Sequence, residues 1–478
     1  MSNRPAPGCV WRVVAAAEAT TTRWPPALLP ALVIGASAGL LPLISRPPLA
    51  WFVVAGLIAL AFAWHTFLHP RDWPLLFCAA VILLPPLPFP IGDSGIHPSI
   101  LLAAVGLLAG AARIRDWCIE RSALNSALVA LLGAMAISLG FATLYSGVTI
   151  AAASAARLIL FAAGVYVYFM SSQGPAHQAP QEAERSAVWM FRIAVLAALF
   201  GCVDFVYQLP APAGFGAQFI WLDSGVYRRA QGLFYDASAL GNFCAFFLVM
   251  SVVALVRRSP RILSRPAAGF GAVLFLGALL LSFSRAAMGA ALISMAVLAL
   301  LERRRWAKGK VVLGVAVLAL ATITAFVVAL PEVAYTYWAR VSVGWDTLFA
   351  NPDRVLSGRL DHWSTIAAFM TEHPWQTLAG IGYKTLPYTE YLGKPVIADN
   401  MYLSALVETG VLGLSALLAL NATILWTSYR KARQGSFFGT WMFCFWTGEV
   451  FQMLAGDVLT FWRVLPIYFW VLAQVVTA

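Results

Sequence analysis

The chain has 478 residues, 61% of them hydrophobic and 11% charged. Soluble globular chains carry about 25% charged residues, so a soluble protein of this size is excluded, and apolar runs of about 20 residues, enough to cross a bilayer, follow one another almost end to end. The 32 Lys and Arg against 21 Asp and Glu leave a net charge of +11; because most of these cations fall in short loops, where they orient helices, the charge reports topology and not a nucleic-acid partner.

Residues 1–25 have no apolar core before a cleavage site and carry Arg4, Arg12 and Arg23, so they read as a cytoplasmic segment and not as a signal peptide. Apolar runs bounded by Pro, Gly and charge predict spans near Pro26 to Ile44, Leu49 to Phe67, Trp73 to Phe89, Pro98 to Ala112, Ala123 to Tyr145, Val148 to Met170 and Val188 to Leu209. A second series follows at Ser238 to Val256, Ala267 to Leu281, Ala286 to Leu301, Val311 to Leu330, Leu403 to Trp426, Phe437 to Ala455 and Leu459 to Val475. The fold class is thus an all-α polytopic membrane protein with about 12 to 14 transmembrane helices. This series puts the basic clusters at Arg113 to Arg121, Arg257 to Arg265, Arg303 to Lys310 and Arg430 to Arg433 on one face.

The domain reading is a cytoplasmic segment at 1–25, eleven helices over 26–330 with a short outward loop near 210–237, a large outward loop at 331–402, and three helices over 403–478. The large loop is rich in Trp and Tyr, enough to bury surface, and Arg359 to Met370 carries apolar residues at helical spacing, with His373-Pro374 ending that helix. Ser171 to Glu184 reads as a flexible inward linker. Six cysteines without a CxxC or an outward pair support neither a disulfide framework nor a zinc site.

Ionisable residues at membrane depth are costly and mark function by default. Arg157 lies roughly 14 Å along its span from the outer end, and it reads either as a bridge to Asp204 or Glu449 or as an anion site. Arg192 and Arg463 lie nearer span ends, where arginines snorkel. Outward arginines run against the orientation bias: Arg228 and Arg229 in the first outward loop, Arg285 at a tight outer turn and Arg359 in the large loop form a cluster suited to a diphosphate, since guanidinium forks bind phosphate oxygens bidentately. There is no Asp-x-Asp pair, no metal-spaced His/Glu cluster, no GxxxxGK[ST] and no GxGxxG. Neither a metal nor another cofactor is called for, and energy must come from the substrate.

The order of many spans, Arg229-x-x-Gly232-x-Phe234, Ser282-Phe-Ser-Arg285 at an outer turn, then one large loop with Arg359-Leu-x-x-Trp363, His373-Pro374, Gly380-Ile-Gly382-Tyr383 and Asn400-Met-Tyr-Leu-Ser-Ala-Leu-Val-Glu408-Thr-Gly410 resembles the O-antigen ligase and O-antigen polymerase superfamily. The resemblance covers about Tyr227 to Leu418. It implies a metal-independent, inverting membrane glycosyltransferase of the GT-C type in the bacterial inner membrane, working at the periplasmic face. The donor it implies is an undecaprenyl-diphosphate-linked glycan, the acceptor a lipid-linked or lipid A-core saccharide, and a chain-length regulator stands as an optional further partner.

Where ligases carry a His before the Asn of the last motif, this chain has Asp399-Asn400. The departure makes Asp399 the candidate base, with His362, His373 or no base as alternatives, and it favours a polymerase of surface polysaccharide repeat units over a ligase. Arg229 and Arg285, backed by Arg157, Arg359 and Arg228, are expected to bind the diphosphate and stabilise the leaving group. Asn400, Glu408, His362, Trp363 and Tyr383 are expected to meet the acceptor or the glycan. Glu408 reads first as a partner of an outward arginine, and the aromatics as packing. A lipid-linked oligosaccharide flippase and a passive assembly scaffold are the competing classes; the aromatic-rich outward loop argues against the first, the outward arginines against the second.

Overall fold

The computed structural model describes residues 60–61, 63–85, 97–210, 218–222, 224–257, 259, 261–303, 310–347 and 359–477. The N-terminal segment, Cys9, the first predicted span and all but the end of the second lie outside the described residues. The rest is an all-α polytopic membrane protein. In order come α1 (Trp73–Leu83), α2 (Ser99–Ala112), α3 (Ala123–Ser146), α4 (Val148–Ser172), α5 (Pro180–Tyr207), a two-stranded hairpin of β1 (Phe219–Leu222) and β2 (Gly225–Arg228), then α6 (Ala237–Arg257), α7 (Arg265–Leu281) and α8 (Arg285–Leu301). Next are α9 (Lys310–Ala329), α10 (Pro331–Thr347), α11 (Arg359–Glu372), α12 (Pro374–Ala379), α13 (Met401–Arg433), α14 (Phe437–Gln452) and α15 (Leu465–Thr477).

Helix starts follow their caps. The hydroxyls of Ser122, Ser264, Ser284 and Ser436 each accept a backbone N–H from the first turn of α3, α7, α8 and α14, the interaction that satisfies an otherwise orphaned donor. Gly147, at φ +84°, makes the sharp turn between α3 and α4. Among the described residues five helices, α3 to α6 and α13, are long and apolar enough to cross a membrane. The segments Ala316–Ala329 and Pro331–Ala339 of α9 and α10 meet at 106°, where Pro331 opens a new helix because its ring cannot continue the old one.

At the centre stands α6, apolar and buried on every side, as a helix hydrophobic all round must be. It packs on α7, α8 and α14, while α3 packs on α4 and α13 and α15 packs on α4. The large loop has a core of its own: Ile366, Phe369, Ile381, Leu386, Val396 and Ala398 close around Val407 of α13, with Tyr145 of α3 at the edge.

Several expectations change. Ser171 to Glu184 is not a flexible linker: α4 runs to Ser172 and α5 begins at Pro180, a residue pre-organised for the first helical turn. The loop near 210–237 holds the hairpin, paired from Phe219 with Arg228 to Leu222 with Gly225. Cys78, Cys202, Cys244 and Cys444 are free thiols, whereas Cys118, expected to be unpaired, is disulfide-bonded.

Candidate active site

The motif Arg229-x-x-Gly232 is anchored from below. Gly232, at φ +52°, lies against Gly201 of α5, where an added Cβ would come within 3.1 Å of the Gly201 Cα. Its N–H donates to Asp204 Oδ2 at 3.1 Å, and that same carboxylate forms an ion pair with Arg228. Arg228, expected to bind a diphosphate, is therefore buried in an ion pair with Asp204 and does not line the cavity described below. Successive side chains on extended backbone point to opposite sides, so burying Arg228 turns Arg229 the other way. The Arg229 N–H donates to the Gln218 carbonyl at 2.8 Å and its Nε to the Ser282 carbonyl at 2.8 Å.

That last bond joins the two arginine motifs. The Ser282 N–H closes α7 on Ala278, Phe283 takes the left-handed region at φ +50°, stacked at 4.7 Å on Tyr337 of α10, and Ser284 caps α8. Arg285 is consequently the first residue of α8. A cation at a helix N-terminus runs against the helix dipole, and an anionic ligand there satisfies both the dipole and the guanidinium.

The large loop reaches the same place through α13. Gly410, at φ +71°, kinks the helix; the Ile381 N–H donates to the Val407 carbonyl at 3.0 Å and the Gly382 N–H to the Glu408 carbonyl at 2.9 Å. Carbonyls that the kink exposes are thus satisfied by the loop. The contact requires glycine: a Cβ on Gly380 would meet the Glu408 carbonyl oxygen at 2.6 Å, and one on Gly410 the Leu378 carbonyl oxygen at 2.3 Å. The Glu408 side chain accepts the backbone N–H of Leu386 at 3.2 Å and that of Lys384, so its hydrogen bonds go to loop backbone.

Together these elements enclose a cavity of about 750 Å³ at the end of α6 that begins with Ala237. It is lined by the predicted Arg157, Arg229, Arg285, Arg359, Asp399 and Glu408, and also by Lys384, Asp236 and Asp457. Arg359 Nε lies 3.3 Å from Asp399 Oδ2. Arg157 lies 4.5 Å over the Tyr388 ring and donates to the Lys384 carbonyl at 3.5 Å. It forms neither expected bridge: Asp204 belongs to Arg228, and Glu449, fully buried, accepts Asn242 Nδ2 at 2.7 and 2.9 Å.

Lys384 pairs with Asp457. Burial pushes its amine down to about 8, against the pull of Glu408, with Arg157 adding to the fall, so at neutral pH it remains an ammonium. Burial likewise raises the Asp236 carboxyl, which the N–H groups of Ser238 and Ala239 and the charge of Arg229 draw back. Lys384, Asp236 and Asp457 were not singled out from the sequence. Their one signal was placement: Lys384 directly follows Gly380-Ile-Gly382-Tyr383 and Asp457 precedes the last span.

Other predicted residues hold the wall rather than line it. Asn400 caps α13, accepting from Tyr402 and Leu403 N–H at 3.1 Å. Trp363 Nε1 donates to the Ala398 carbonyl at 2.6 Å, which fixes the residue before Asp399. Tyr383 is buried under Lys384. His362 is off the cavity, its Nδ1 buried without a partner, and His373 packs on Phe369 and Tyr391. A second cavity, about 820 Å³, lies at the opposite end between α1 and the start of α5; none of the motif residues lines it. Among the described residues no group of three His, Cys, Asp or Glu side chains could hold a metal ion.

The model of the O-antigen ligase family matches residues 270–418. That segment carries Arg285, Arg359, Lys384, Asp399 and Glu408, and over it the resemblance to the O-antigen ligase and polymerase superfamily holds. It supports an O-antigen ligase/polymerase-type function in surface polysaccharide synthesis, with lipid-linked saccharides as substrates at a membrane. No curated protein matches the chain.

Proposed function

We propose that the protein is a metal-independent, inverting glycosyltransferase of the GT-C type that joins undecaprenyl-diphosphate-linked repeat units of a bacterial surface polysaccharide at the periplasmic face of the inner membrane. The observation that carries this reading is the convergence of Arg157, Arg229, Arg285 and Arg359 with carboxylates on one cavity. Guanidinium groups bind a diphosphate in the ground state and take up the negative charge that grows on it as the glycosidic bond breaks. The donor supplies its own leaving group, so no nucleotide is required. Among the described residues, Arg113, Arg257 and Arg430 to Arg433 lie at the other end of the bundle, which by the positive-inside rule supports an outward cavity.

The acceptor decides between two outcomes. Asp399 in the place of a histidine favours the polymerase, with a second lipid-linked unit as acceptor. The ligase reading, with lipid A-core as acceptor, is favoured by the description of the family that matches residues 270–418. The test is glycan size in cells lacking the native copy and complemented with wild type, Arg285→Ala or Asp399→Asn. Single repeat units should accumulate with Arg285→Ala; long polymer that stays on the polyprenyl carrier and never reaches lipid A-core would instead make the protein a ligase. Unchanged glycan with Arg285→Ala would sink both readings.

A further inference from the structure

We infer that Asp457, positioned by Lys384, is the carboxylate that receives the acceptor hydroxyl, in place of Asp399. The inference rests on the glycosyl-transfer reading above. Among the described residues four carboxylates line the cavity, and three are occupied in other ways. Asp236 caps α6 through the N–H groups of Ser238 and Ala239 at 2.7 and 3.3 Å. Glu408 holds the backbone of Lys384 and Leu386. Asp399 faces Arg359 at 3.3 Å with its side chain 46% exposed, so water and a guanidinium compete for its oxygens.

Asp457 differs on each count. Its side chain is 18% exposed, Oδ2 pairs with the Lys384 ammonium, and Oδ1 is buried with no hydrogen-bond partner. A buried carboxylate oxygen left without a donor is costly, and a hydroxyl bound in the cavity would complete it. The terminal torsion of an aspartate is broad and roughly two-fold, so either oxygen can turn to the hydroxyl while the other keeps Lys384. Lys384 is itself fixed three ways: by its N–H to Glu408, by its carbonyl to Arg157 and by Nζ to Asp457. It thereby couples the carboxylate to an arginine of the cavity.

In the step this implies, the acceptor oxygen bonds to the anomeric carbon of the donor as the bond from that carbon to the diphosphate oxygen breaks. The electron pair leaves with the polyprenyl diphosphate, whose charge the arginines take up, and the hydroxyl proton passes to Asp457. Asp457 is then catalytic and Lys384 a positioning residue.

The test is chain formation in vitro by the full-length protein, with polyprenyl-diphosphate-linked glycan purified from cells lacking it as both donor and acceptor. A positioned base contributes about 10²- to 10⁴-fold. Asp457→Asn is therefore expected to lose at least about 100-fold in kcat at unchanged KM for the lipid-linked glycan, and Asp399→Asn less than about tenfold. Lys384→Met should fall with Asp457→Asn, and Lys384→Arg, which keeps the charge, should recover most of the rate. If Asp457→Asn fails to fold, Asp457→Glu carries the test: it keeps the charge, displaces the carboxylate by one methylene, and should lose at least about tenfold in kcat. Near-wild-type rates in the Asp457 variants with loss in Asp399→Asn would overturn the inference alone. Wild-type rates in Arg285→Ala would instead overturn the glycosyl-transfer reading on which it rests.

Discussion

Lys384 is where the charges of the cavity meet, and its ionisation gives the site a pH dependence. Glu408 of α13, Arg157 of α4 and Asp457, before α15, all face it. Burial holds its amine near 8, below the 10.5 of a free lysine, so charge is lost as pH rises through about 8. The ion pair with Asp457 is lost with it. The rate of transfer should therefore drop between about pH 7.5 and 9 in the wild type and stay level in Lys384→Arg, whose guanidinium does not titrate there; parallel profiles would remove Lys384 from the mechanism. The adjacent Arg228 and Arg229 show how little residue type alone decides. Both were expected to bind one diphosphate, and the strand alternation sends Arg228 to Asp204 and Arg229 to the cavity. Arg463 was expected to snorkel, yet it is buried and donates to the carbonyls of Val81, Ile82 and Leu84 at 2.8, 3.1 and 2.8 Å, satisfying the C-terminal end of α1.

At the scale of elements, the loop motif Gly380-Ile-Gly382 and the helix motif Glu408-Thr-Gly410 are two halves of one joint. Gly382 sits at φ +128° with its would-be Cβ 2.4 Å from the Ala142 Cβ on α3, whereas Gly140, two residues earlier on α3, has open space around it. Gly382→Ala and Gly410→Ala should each destabilise the protein by about 1–3 kcal/mol through overpacking alone, and more for the positive φ. Gly140→Ala should be neutral or mildly stabilising. Thermal unfolding of the three variants in detergent checks this, and equal midpoints would show that the joint tolerates side chains. Most helices could be read from hydropathy: α3 and α4 start at the predicted residues, and the amphipathic stretch from Arg359 is α11. The hairpin could not, because strands of four residues are too short for a two-residue period to stand out. Nor could α10, whose opening proline reads as readily as a loop.

The whole bundle is organised between two ends. α6 has 21 residues, a length of about 30 Å at 1.5 Å per residue, which matches the hydrocarbon core of a bilayer. Its first residue, Ala237, follows the cavity's Asp236, and its last, Arg257, ties the far end together. Arg257 Nε donates to Glu302 at 2.7 Å, and the guanidinium reaches the Ser436 and Ala432 carbonyls at 2.8 and 3.1 Å. Both side chains are more than nine-tenths buried. Removing one member of a buried pair costs about 3–5 kcal/mol, so Arg257→Met should lower the unfolding midpoint sharply while the surviving folded protein transfers glycan normally. A loss of rate in the folded fraction would mean that the far end is coupled to the cavity.

By itself the sequence determined the all-α membrane fold, the positions of most described helices and four of the arginines that line the cavity. Hydropathy and helical periodicity are local, and an arginine out of keeping with its surroundings is visible without knowing its neighbours. Only the tertiary structure decided which charges share a cavity. Lys384 and Asp457 are 73 residues apart, and Arg157 and Lys384 are 227 apart; the energy of an ion pair depends on distance and burial in space, and neither is encoded along the chain.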